Sequence, residues 1–209
     1  MRIDSISPKA DRSGRYSVRF SDGSSIRLYR QTIEDFAIYC GKEFSDADMD
    51  SLCEAAGKMS AKMRAVRIVS ASNVSMADLE QRLIRKGETP KQAKEAVSWM
   101  EDLSLVDDER TAALIVERCA AKGYGRSRAK QMLFEKKIPK ELWASALSEY
   151  PDQTENIIAF LKKKLSCSCD EQSVKRAIDA LLRKGHSYSQ IKSALERMNV
   201  EHDDFQEDM

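Results

Sequence analysis

The sequence predicts a mainly α fold: tandem three-helix repeats forming an elongated curved array, with a small N-terminal β-meander plus helices in front. Three observations carry this expectation. Three windows recur at offsets of 50 and 48 residues: Arg82-Leu83-Ile84-Arg85-Lys86-Gly87, Met132-Leu133-Phe134-Glu135-Lys136-Lys137 and Ala180-Leu181-Leu182-Arg183-Lys184-Gly185. A period near 50 residues implies stacked helical modules that share their apolar faces. Only 8 Gly and 4 Pro occur among 209 residues, too few for a loop-rich sandwich. Period-2 alternation is confined to the first 30 residues.

In the strand region, Ile3 and Ile6 mark a short first strand. Tyr16, Val18 and Phe20 alternate with Arg15, Ser17 and Arg19, as in a half-buried strand. Asp22-Gly23 supplies a hairpin turn, and Ile26 and Leu28 answer on the return strand. So small a meander needs a helix on its apolar face. Thr32 is expected to cap that helix, with Ile33, Phe36, Ala37 and Cys40 as its stripe and Gly41 as its end. Ser45 caps the next, whose stripe is Met49, Leu52, Cys53 and Ala56; Gly57 either ends it or only weakens it. Cys40, Cys53 and Cys119 are expected in cores.

The modules follow from Ser60. Each window ends a second helix. A third helix then starts at Thr89-Pro90, Pro139 or Ser187. The third helices carry Ala93, Ala96, Val97 and Met100; Leu142, Ala146, Leu147 and Tyr150; and Ile191, Ala194, Leu195 and Met198. The expected divisions are an N-terminal region 1–58, repeats 59–104, 105–151 and 152–200, and an acidic tail 201–209. In the middle repeat, Asp107 and Asp108 precede a face of Ala112, Ile115, Val116 and Cys119, and they read as caps rather than catalytic carboxylates. Gly123 and Gly125 break the helix and permit positive φ.

Net charge is +1, but residues 59–200 hold 26 basic and 19 acidic side chains while the last nine residues hold five acids. A basic helical body points to a polyanion or an acidic protein surface, or simply to a solvated mixed-charge surface. Arg126 and Lys130 share one helical face, continued by Phe134, and Arg118 and Lys122 do the same on the preceding helix. Like charges at this spacing repel, so an unpaired strip awaits an anion. Arg128 joins the same basic stretch. Tyr124, in the turn, either stacks on a base or fills a packing gap. Arg85-Lys86 and Arg183-Lys184 sit at matching helix ends, where cations also suit the dipole.

Chemistry beyond binding has little support. No phosphate loop, triad motif or ligand-spaced cluster occurs, so no enzyme activity, cofactor or metal is expected. Cys167-Ser168-Cys169 is the one close cysteine pair, tighter than a zinc knuckle and without a second pair. No apolar run approaches a membrane span, and the N-terminus lacks a signal-peptide core; a cytoplasmic monomer is expected.

With these residues read, the chain resembles the bacterial RecX family, regulators of the recombinase RecA. The resemblance lies in Val106-Asp107-Asp108-Glu109-Arg110-Thr111-Ala112, then Gly123-Tyr124-Gly125-Arg126-Ser127-Arg128, then Leu133-Phe134-Glu135-Lys136-Lys137-Ile138. Asp78-Leu79-Glu80-Gln81-Arg82-Leu83-Ile84-Arg85-Lys86-Gly87 is similar to the family's pattern in the first repeat. Thr111, Ala129 and Lys137 depart from the family's aromatic, larger aliphatic and glycine, at packing and capping positions. The resemblance implies a non-enzymatic protein that lies in the groove of the RecA–DNA filament and restrains strand exchange, ATPase and coprotease activities. Single- or double-stranded DNA is a secondary partner. The competing reading is a RecA-independent DNA- or RNA-binding helical module.

Overall fold

A computed structural model describes residues 1–166 and 170–198. The Cys167/Cys169 pair and the acidic tail lie outside the described residues. Three antiparallel strands, β1 (Ile3–Ile6), β2 (Arg15–Phe20) and β3 (Ser25–Tyr29), form a meander in sequence order. The alternation of β2 sends Val18 and Phe20 inward, with Leu28 opposite, and leaves Ser17 and Arg19 exposed.

The next helix differs from expectation. α1 (Arg30–Asp35) begins after Tyr29, and Thr32 lies buried inside it rather than capping it. It stops before Ala37, which takes φ 43°. Cys40 therefore falls beyond the helix and is exposed, as is Cys53; only Cys119 of these three is buried. A 3.6-residue stripe four residues long cannot distinguish a helix from the turn that follows it.

α2 (Asp46–Ala71) starts on a capping box between Ser45 and Asp48 and runs unbroken through Gly57. The division expected at residue 58 thus falls inside one helix. Its first half packs beneath the sheet through Leu52, and its second half carries Ala61, Ala65 and Ile68 into the next core. One glycine costs a helix about 1 kcal/mol, which the packing of 26 residues outweighs. α3 (Met76–Arg85) and α4 (Pro90–Asp102) complete that core with Leu79, Leu83, Ala93, Ala96, Val97 and Met100. Thr89 and Gln92 form a capping box, and Pro90 occupies the first turn, where its missing N–H is harmless.

The chain divides into two compact units, Met1–Val106 and Asp107–Met209. In the second, α5 (Asp108–Ala121) and α6 (Arg126–Glu135) bury Ala112, Ile115, Val116, Cys119, Ala129 and Leu133. After Pro139 comes a 3-10 turn, Lys140–Leu142, and then only a short α7 (Trp143–Ala146), so this module's third helix is abbreviated. α8 (Thr154–Leu165), α9 (Glu171–Arg183) and α10 (Tyr188–Arg197) enclose Ile157, Leu161, Leu165, Leu181, Ile191, Ala194 and Leu195. Lys162, Lys163 and Lys164 are exposed.

The repeat is visible in the backbone. The last residue of each recurring window is left-handed: Gly87 at φ 93°, Lys137 at 57° and Gly185 at 86°. Each closes a helix by bending its chain end back, the usual task of a glycine after the C-cap. Lys137 performs it with a side chain, at a cost of about 1–2 kcal/mol.

Candidate partner-binding surface

The surface is built on the Gly123-Tyr124-Gly125 turn. Asp107 caps α5 by accepting from the Arg110 N–H at 3.0 Å, and the helix ends on Lys122. Gly123 then turns with φ 64°, as a helix-ending glycine should. Gly125 differs from expectation: its φ is −79°, open to any residue. Its glycine is required by proximity instead. A Cβ there would lie 2.0 Å from the Gly185 carbonyl oxygen, and a Cβ on Gly185 would lie 2.3 Å from the Arg128 nitrogen. Two turns, from consecutive modules, cross backbone to backbone.

The crossing also explains why α6 has no capping side chain. The first N–H groups of a helix need acceptors. Here Gly125 N donates to the Lys184 carbonyl at 2.9 Å and Ser127 N to the Gly185 carbonyl at 3.2 Å. In return His186 Nε2 donates to the Gly123 carbonyl at 3.1 Å. Tyr150 Oη donates to the Tyr124 carbonyl at 2.7 Å. Tyr124 itself is half-buried and packs on the α5–α6 core.

His186 is buried and its Nδ1 has no hydrogen-bond partner among the described residues. The neutral tautomer with the proton on Nε2 meets both facts. Burial pushes its pKa down, joined by the Lys184 charge, while the bond to Gly123 works the other way. Burial likewise pushes the Tyr150 hydroxyl up to about 12.

Outside this weld lies the basic strip. Arg126, Lys130 and Phe134 follow one another along α6, all exposed, and Phe134 is 66% accessible. Arg118 and Lys122 are exposed at the end of α5. None of these four cations has an ion pair among the described residues. α6 also has no acid in its first turn, where Arg126 and Arg128 stand against the positive end of the helix dipole. Each such charge costs about 0.3–1 kcal/mol that an anion nearby would recover.

The other predicted residues behave differently. Arg128 is half-buried, donates to Gln131 at 2.7 Å, and lies 3.7 Å from Glu135. In the first unit, Arg85 is exposed, 4.0 Å from Asp78. Lys86 is exposed and shares a cleft with four arginines, Arg15, Arg64, Arg67 and Arg82. That cleft was not predicted. The available signals were faint: Arg64 and Arg67 one turn apart on α2, and Arg82 and Lys86 one turn apart at the end of α3.

A family model described as the second three-helix domain of RecX matches residues 107–147, from the cap of α5 to the last core leucine of that module. Regulatory protein RecX of Vibrio parahaemolyticus is 26% identical over 140 residues, covering 66% of this chain and 90% of the relative. Regulatory protein RecX of Bacillus subtilis is 25% identical over 209 residues, 97% of this chain and 79% of the relative. A crystal structure of regulatory protein RecX superposes with a TM-score of 0.66 over 92% of this chain and 98% of its own, at 18% identity. That of RecX from Lactobacillus salivarius gives 0.62 over 70% and 99%, at 21% identity. The chain is thus similar to RecX proteins in the matched module and along relatives spanning both units, and it shares its fold with solved RecX structures.

Proposed function

We propose that this chain is a regulator that binds the RecA–DNA filament and modulates, chiefly by inhibition, its recombinase, ATPase and coprotease activities. The observation that carries the proposal is the exposed Arg126–Lys130–Phe134 stripe on the module the family model matches, whose two cations, like the exposed Arg118 and Lys122 of the same module, have no ion pair among the described residues. Unneutralised cations around an exposed aromatic suit an acidic protein surface: the charges steer the encounter and the ring supplies buried contact area. The regulatory role is supported by relatives that carry the name regulatory protein RecX. No helix among the described residues is long and apolar enough to cross a membrane.

The test is ATP hydrolysis by cognate RecA on single-stranded DNA with micromolar amounts of this protein added. Hydrolysis falls with the natural sequence, and falls less with Arg126→Ala combined with Lys130→Ala, while helicity by circular dichroism stays the same. Undiminished hydrolysis at saturating protein overturns the proposal. A second reading, nucleic-acid binding without RecA, is favoured by the charge of the body, 26 basic against 19 acidic residues over 59–200.

A further inference from the structure

The first unit holds a cleft of about 470 Å³ whose charged lining is entirely cationic: Arg15, Arg64, Arg67, Arg82 and Lys86. It forms where β2 and β3 meet the second half of α2 and the end of α3. We propose that this cleft is a second binding site, which takes the phosphate backbone of a nucleic acid without reading its sequence. The proposal rests on the second of the two functional readings and gives it a location; it does not require RecA.

The charge balance inside the cleft carries the argument. Three of the arginines are held by carboxylates behind them. Arg15 lies 3.0 Å from Asp11, Arg64 2.9 Å from Glu88, and Arg82 2.8 Å from Asp78. Glu88 is itself buried and accepts from Ser60 Oγ at 3.1 Å, so that pair is fixed in the fold. Arg67 is held by the Tyr29 hydroxyl and the Met63 carbonyl, neither of them charged. Lys86 is exposed, and its side chain has no carboxylate partner among the described residues. Two positive charges are therefore left over in a recess where three more are only locally balanced.

The chemistry selects the ligand. Guanidinium forks match phosphate oxygens in pairs, and Lys adds a point charge. An acidic protein segment would also be attracted, but protein hot spots set their arginines among aromatic anchors in desolvated pockets. None of the exposed large apolar side chains of this unit lines the cleft. Tyr29 is buried with its hydroxyl engaged, so no aromatic face is offered to a base. A ligand gripped by phosphates alone is bound without sequence preference.

The experiment uses the full-length protein without RecA and a short end-labelled oligothymidylate, followed by fluorescence anisotropy across a salt series. The natural sequence is expected to bind, with affinity falling steeply as salt rises. Arg67→Gln with Lys86→Gln should weaken binding on the order of tenfold and flatten the log–log salt slope by about 1.4, two contacts at roughly 0.7 each for a single strand. Lys86→Gln alone, whose side chain makes no ion pair or hydrogen bond among the described residues, should give part of the same change with an unaltered melting midpoint. Lys175→Gln with Lys192→Gln, the same charge removed from exposed positions on α9 and α10, should leave the slope nearly unchanged. No binding even at low salt would overturn both the cleft and the second functional reading. Binding that the cleft variants do not alter, or that the α9/α10 control weakens equally, would overturn the cleft alone. Displacement of the oligonucleotide by inorganic phosphate at constant ionic strength would reassign it to a small anion and also overturn the proposal.

Discussion

At the scale of single residues, three positions decide how the modules close and join. Gly125 has an ordinary φ, so its substitution tests contact alone. Gly125→Ala places a methyl against the Gly185 carbonyl and should cost about 1–3 kcal/mol, the usual range for overpacking, seen as a lower denaturation midpoint. A cost near zero would mean the two turns do not meet. Lys137 is the reverse case: left-handed at φ 57°, it should gain about 1 kcal/mol as Lys137→Gly. His186 links the weld to pH. Its folded pKa lies below the ordinary value, so the unfolded chain binds the proton more readily. Stability from this group is therefore complete above the unfolded pKa, near 6.5, and is lost as pH falls below it. The melting midpoint should drop between neutral pH and about pH 5, where most carboxylates are still ionised, and His186→Gln should reduce that drop. An equal drop in the variant would remove His186 as its source.

Among the helices, α2 and α6 show where local rules give way to packing. Gly57 lies in mid-helix on α2, and a Cβ there would come within 2.1 Å of the end of the Gln92 side chain. Gln92 also closes the capping box of α4, so the small residue leaves room for a cap on a neighbouring helix. Gly57→Ala should be nearly neutral, as about 1 kcal/mol of helix propensity is offset by the disturbed cap. In a Gln92→Ala background the same change should stabilise by about 1 kcal/mol; thermal denaturation of the four proteins gives the cycle. The sequence exposes caps and stripes well, because they depend on neighbours one turn away. Ser45, Thr89, Asp107 and Ser187 all cap where expected. It misled at Thr32 and Cys40, where a short stripe runs past the end of a six-residue helix. It was silent on the backbone acceptors of α6, which come from residues about 60 positions away.

For the whole molecule, the three recurring windows proved to be three helix ends with one backbone conformation, the strongest sign of repetition. The basic strip on α6 was legible because its residues share one face of one helix. The cleft between β3, α2 and α3 was not, because only folding brings Arg15 to Arg64 and Lys86. The proposed function has the α5–α6 surface of the second unit meet the filament. Hydrogen exchange on the full chain, alone and with RecA–single-stranded DNA filaments, tests it most directly. Slowed exchange of amides over residues 118–134 on filament binding is the predicted result. Binding with no protection there, and protection only elsewhere, would contradict it.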